Sequence, residues 1–183
     1  MKLGFIGLNH LEGVEADARF ARDHGFVGLE YNYWGEFREL EEGTVREMRR
    51  ILDRYGIRAS ALGLWGWNHL APDPALREEA HAMLGRALEF AGMLGASVLI
   101  CGGGLIPGAS LEENVAEFLK VFPPFLDRAQ DMGLTVAMYA VHGNSFFDSV
   151  EAYERVWEQR PDVGVKYDPA NWLHHGEDHL EML

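Results

Sequence analysis

Cysteine is nearly absent. Cys101 is the single one in 183 residues, so an internal disulfide is excluded, and the expected compartment is a reducing one, the cytoplasm. Positive charge is scarce as well. Sixteen Lys and Arg stand against 29 Asp and Glu, a formal net charge of −13, which argues against nucleic acid or an anionic membrane surface as a partner. No apolar run approaches the length of a membrane span, and the opening MKLGFIGLNH is too short in its apolar part for a signal peptide. The dinucleotide-binding glycine fingerprint is missing too. FIGLNHLEG lacks it after the first strand candidate, CGGGLIPG has Pro107 where the third glycine belongs, and no phosphate-binding Gly-x-x-x-x-Gly-Lys-Ser/Thr occurs.

What remains is an ordinary globular composition, 48% hydrophobic and 25% charged, in a chain long enough for one domain with a sizeable core. A recurring punctuation organises it. His24-Gly25-Phe26, Tyr55-Gly56-Ile57, Leu94-Gly95-Ala96 and Met132-Gly133-Leu134 each close a helix-patterned segment and open an apolar run. The helical segments are 12–24, 40–55, 76–94, 111–132 and 148–159, and Pro123-Pro124 should kink or restart the fourth. The strand candidates are 2–8, 26–32, 57–64, 96–101, 134–140 and 163–168. Their Val, Ile, Leu and Phe do not alternate with polar residues, as expected of parallel strands covered on both faces. Six β-then-α units in succession predict a parallel α/β fold, and the missing glycine fingerprint favours a (β/α) barrel over a doubly wound sheet. Such a barrel has eight units and about 250 residues. The expectation is therefore a single barrel domain over 1–183, truncated at its C-terminus with about six of eight units present, or closed by another copy in a homo-oligomer.

Barrel enzymes carry their chemistry at the C-terminal ends of the strands, and polar residues gather there in this chain: Asn9 and His10, Glu30 to Tyr33, Trp65 to His69, Cys101 with three glycines, Tyr139 with His142, and Asp168 with Asn171. Each has a structural counterpart. Asp168 before Pro169 suits a helix cap. His142 suits a hydrogen-bonded wall residue. Trp65 and Trp67 suit a core, or a sugar-stacking wall if an extended backbone points them the same way. Glu30 in a buried strand needs a partner or a site to face. Cys101 suits packing, and His174 and His175 a solvated loop.

The strand-two pattern GFVGLEYNYW, the run WNHLAPDPALREEA leading into ALEFAGMLGASVLI, and GLTVAMYAVHGN followed by VGVKYDPANW together give a resemblance. The chain resembles the sugar phosphate isomerase/epimerase family, whose members have a xylose isomerase-like TIM barrel and include ketose 3-epimerases and inosose dehydratase. The resemblance implies a divalent metal (Mn, Zn, Mg or Co) held at strand ends, with Asp168 at the strand-six ligand position and His142 as a further ligand. It also implies a sugar, sugar phosphate or cyclitol as substrate, isomerised or epimerised through an enediolate. His142 and Glu30 are the candidate catalytic groups, and Trp65, Trp67, Asn68, His69 and Asn171 the candidate substrate contacts. Two positions depart from the family pattern: Tyr139 stands where many relatives carry a ligand Glu, and Asn171 where Asp-x-x-His would place His. The ligand set is thus incomplete in this chain. An inosose dehydratase-like lyase and a non-catalytic carbohydrate-binding barrel are the alternatives, and the 183-residue form by itself is expected to be inactive.

Overall fold

The computed structural model describes residues 2–140 and 145–182. Six parallel strands form one sheet in the order β1-β2-β3-β4-β5-β6: β1 Gly4–Ile6, β2 Gly28–Tyr33, β3 Arg58–Leu64, β4 Val98–Cys101, β5 Thr135–Met138 and β6 Gly164–Val165. Between them run α1 Leu11–Asp23, α2 Glu42–Tyr55, α3 Pro74–Leu94, α4 Leu111–Val121, α5 Pro123–Asp131 and α6 Val150–Trp157, with α7 Pro169–His175 after β6. All six expected strands and the units they define are present. Sequential order with every connection through a helix is the topology of a barrel.

Local chemistry sets the boundaries. Gly56 and Gly95 close α2 and α3 in the left-handed conformation, as the repeated punctuation predicts. Asp73 caps α3 ahead of Pro74, and Ser110 with Glu113 forms a capping box on α4. The 111–132 segment does restart at the proline pair: α4 ends at Val121 and α5 begins at Pro123. No helix among the described residues is long and apolar enough to cross a membrane.

The strand registers sort side chains onto two faces. Tyr31, Leu62, Leu99 and Val136 form one row, fully or almost fully buried against the helices in the main core. Asn32, Gly63, Ile100, Ala137 and Gly164 form a row on the other face. Its apolar cluster is small: Ala61, Trp65, Ile100 and Ala137, with Val98 and Tyr139 packed against it. This second face is concave. Four strand spacings separate β6 from β2, about 19 Å if the sheet were flat, yet Lys166 Nζ, one residue past β6, lies 2.6 Å from Glu30 Oε1 in β2. Only a sheet that curls toward this side brings them together. The result is six of the eight β/α units of a barrel, with the helices outside.

Candidate active site at the strand ends

The concave face carries a connected group of polar and aromatic side chains. Glu30 projects inward from β2, and its Oε1 accepts from both Lys166 Nζ at 2.6 Å and Asn32 Nδ2 at 2.9 Å. Asn32 Oδ1 in turn accepts from Trp65 Nε1 at 2.7 Å, while Asn9 Nδ2 holds the backbone carbonyl of Asn32. The Lys166 ammonium lies 5.7 Å from the centre of the Trp65 ring and 5.1 Å from that of Tyr139, within cation–π range of both. These two rings are themselves 5.5 Å apart. Tyr139 Oη donates to Asp168 Oδ2 at 2.8 Å. Burial, and then this bond to the carboxylate, push the Tyr139 hydroxyl up to about 12, so it acts as a donor and stays protonated.

Asp168 has two roles. Its Oδ1 accepts from the backbone amides of Ala170 and Asn171, so it is the N-cap of α7 with Pro169 at the first helical position. The capping reading holds for one oxygen, and the other faces Tyr139. Asn171 is buried, and its Nδ2 donates to the Ala140 carbonyl at 3.2 Å, which ties α7 to the end of β5.

Of the residues expected at the site, Glu30, Trp65 and Asp168 come together in this group, and Asn171 adjoins it through α7. His142 lies outside the described residues. The remaining three are placed elsewhere. Trp65 and Trp67 do not point the same way: Gly66 between them has φ of +94°, which breaks the extended alternation. Trp65 therefore joins the concave cluster, and Trp67 the main core, packed edge-on to Phe37 with Arg38 over its ring. Asn68 is a loop clamp, with Oδ1 accepting from the amides of Leu70 and Leu105 and Nδ2 donating to the Leu105 carbonyl. His69 is 1% exposed and edge-on to Phe122. Burial, and then the nearby His81, pull it down to about 3, so it is a neutral core residue.

Two members of the group were not expected. Lys166 was readable from strand parity: if Asp168 faces inward, so does the residue two before it. Trp34 follows β2, is 54% exposed and has its ring 6.4 Å from that of Trp65, which extends the aromatic wall outward.

Among the described residues the donor chemistry does not fit a divalent metal. No three His, Cys, Asp or Glu side chains among them could hold one ion together. Asp168 has partners on both oxygens, the neighbouring strand end offers a protonated phenol, and an ammonium already occupies the middle of the group. Hard and borderline cations take several oxygen, nitrogen or sulfur ligands, and the faces of Trp65 and Tyr139 supply none.

Comparison with known proteins follows this geometry. The family model described as "Xylose isomerase-like TIM barrel" matches residues 18–183. No curated protein sequence matches the chain. Among solved structures, the xylose isomerase domain protein from Planctomyces limnophilus is 18% identical with a TM-score of 0.69, over 92% of this chain and 63% of that one. A D-allulose 3-epimerase from Methylomonas sp., solved in complex with D-allulose, is 20% identical with a TM-score of 0.70, over 90% of this chain and 62% of that one. The probable 3-DHS dehydratase from Bacillus anthracis is 14% identical with a TM-score of 0.72, over 99% of this chain and 68% of that one. The chain thus spans just under two thirds of the first two structures. At these identities the likeness is one of fold. With the family model spanning most of the chain, this protein belongs to the xylose isomerase-like TIM barrel family.

Proposed function

We propose that the concave strand-end face binds a sugar, sugar phosphate or cyclitol and isomerises or epimerises it by moving a proton next to a carbonyl. The observation that carries this reading is the convergence of a carboxylate (Glu30), an ammonium (Lys166), a phenol (Tyr139) and an indole wall (Trp65) at the strand ends. A polyol presents alternating hydroxyls and apolar C–H faces. Charged hydrogen-bonding groups suit the first and aromatic rings the second. Family membership and the epimerase among the structural neighbours support the same class of reaction. In this reading Glu30 takes and returns the proton, and Asp168 orients the Tyr139 hydroxyl.

The resemblance to metal-dependent isomerases would add a divalent ion on Asp168 and His142. Since the described donors do not form such a cage, no step here depends on one. The test is incubation with a panel of ketoses, aldoses and inososes followed by chromatography. A product of unchanged mass, lost in Glu30→Gln, supports the reading. A product lighter by one water supports a lyase instead, and binding without turnover a carbohydrate-binding barrel.

A further inference from the structure

The mismatch between this site and a metal cage has a specific counterpart on the same strand ends. Lys166 reaches from the end of β6 across the concave face to Glu30 in β2. Its ammonium has three donor protons, and one serves Glu30 Oε1. Around the rest lie the faces of Trp65 and Tyr139, which attract a cation without accepting a conventional hydrogen bond. Glu30 Oε1 already accepts from two donors, Lys166 and Asn32. A fixed cation thus sits beside a candidate base, between aromatic walls.

We infer that Lys166 is the electrophile of this site, holding the carbonyl oxygen of an α-hydroxy-carbonyl substrate and stabilising the enediolate formed when Glu30 removes the neighbouring proton. The inference rests on the isomerase reading above and specifies its machinery. In the step itself, the Glu30 carboxylate takes the proton from the carbon that bears the hydroxyl. The C–H electron pair becomes the second bond between the two carbons, and the carbonyl π pair moves onto oxygen. The hydroxyl proton then passes to that oxygen, and Glu30 returns its proton to the former carbonyl carbon. Atoms and charge balance with no co-reactant.

The geometry suits this exchange for an electrostatic reason. Before proton transfer the negative charge is on Glu30, and after it on the substrate oxygen. A single ammonium adjacent to both positions keeps an anionic partner throughout, so little reorganisation accompanies the step. Asn32, donating to Glu30 and accepting from Trp65, fixes the carboxylate while the charge moves. A lysine nucleophile forming a Schiff base is the competing chemistry. The bond to Glu30 works against it, because a nitrogen held as hydrogen-bond donor to a carboxylate presents no lone pair to a carbonyl.

The experiment is deuterium wash-in. The whole chain is incubated in D2O containing EDTA with D-fructose, D-tagatose or myo-inosose, and label at the carbon next to the carbonyl is read by mass spectrometry. Wild type should incorporate deuterium without added metal. Lys166→Met, similar in size and uncharged, should lower the rate at least about a hundredfold, in the range for removing one oxyanion donor, with partial recovery in Lys166→Arg. Thermal melts of both variants establish that they fold; if Lys166→Met does not, the rates of Lys166→Arg and wild type decide. Equal rates in wild type and the folded Lys variants overturn the role of Lys166 while leaving the isomerase reading intact. So does exchange that appears only when Mn or Zn replaces EDTA. A borohydride-trapped adduct on Lys166 also overturns it, in favour of Schiff-base chemistry. No exchange from any of the three probes, with or without metal, overturns the isomerase reading and this inference together.

Discussion

The two faces of the sheet are built from the same strands but follow different rules. The outer face meets the helices through large apolar side chains. Phe118 alone has ring contacts with Phe122, Phe146 and Phe147, and Tyr153 links Phe147 to Trp172. The concave face has only a small apolar cluster and places charged and amide groups among its rings. Alternation along each strand lets the two faces be specified almost independently. Burial on the outer face fixes the sheet, and that leaves the concave face free to hold groups which add little to stability.

This contrast can be tested by breaking each side in turn. Phe118→Ala on the outer side should destabilise most, by about 3–5 kcal/mol, read from urea melts. A smaller value would mean that the aromatic cluster collapses around the gap. His69 gives the next largest effect, and it depends on pH. Folding depresses its pKa from 6.5 to about 3, so below pH 6.5 the unfolded chain gains a proton that the folded chain excludes. Stability from this group is fully present above pH 6.5. It falls as pH drops toward 3, by up to about 1.4 kcal/mol per pH unit. If His69→Phe folds, its melts should show a flatter acid limb, and an unchanged limb would count against a neutral buried His69.

On the concave side the effects should be smaller and more local. A Cβ at Gly63 would collide with Asn32 Oδ1 and sit 2.9 Å from the Trp65 ring. Gly63→Ala should therefore cost about 1–3 kcal/mol and shift the Trp65 fluorescence as the Asn32 contact breaks. Asp168→Ala removes the cap of α7 and the acceptor of Tyr139, at about 1 kcal/mol by thermal melts. Least of all, calorimetric titration with Mn, Zn or Mg should show no micromolar binding. Micromolar binding that disappears in Asp168→Asn would mean that the donors complete a metal site after all.

Much of the outer face was legible in the sequence, because its signals are local. Helix-closing glycines, capping residues, the Pro123-Pro124 restart and the apolar strand runs each act within a few residues, and they locate all six strands. The site was legible in part. Glu30 and Asp168 stood out because carboxylates at the ends of apolar strands need a reason to be there, and Trp65 because of its ring. Trp67, Asn68 and His69 misled, since one left-handed residue at Gly66 redirects all that follows and parity no longer applies. For Lys166, parity with Asp168 gives the face but not the partner, because Glu30 is across the sheet and no local pattern signals a contact of that range.

That range has a temporal side. Glu30 and Lys166 are 136 residues apart in sequence, and a ribosome adding about 5–20 residues per second leaves roughly 7–27 s between their syntheses. Neighbouring strands can pair during that interval, each closing a modest loop. The tie from β6 to β2 closes far more chain and must await the units between them, so it belongs among the late contacts to form. Until then Glu30 is a solvated carboxylate without its ammonium. The strand-end group therefore reports completion of the winding: a chain arrested after α6 would have nearly all of its outer core but not Lys166.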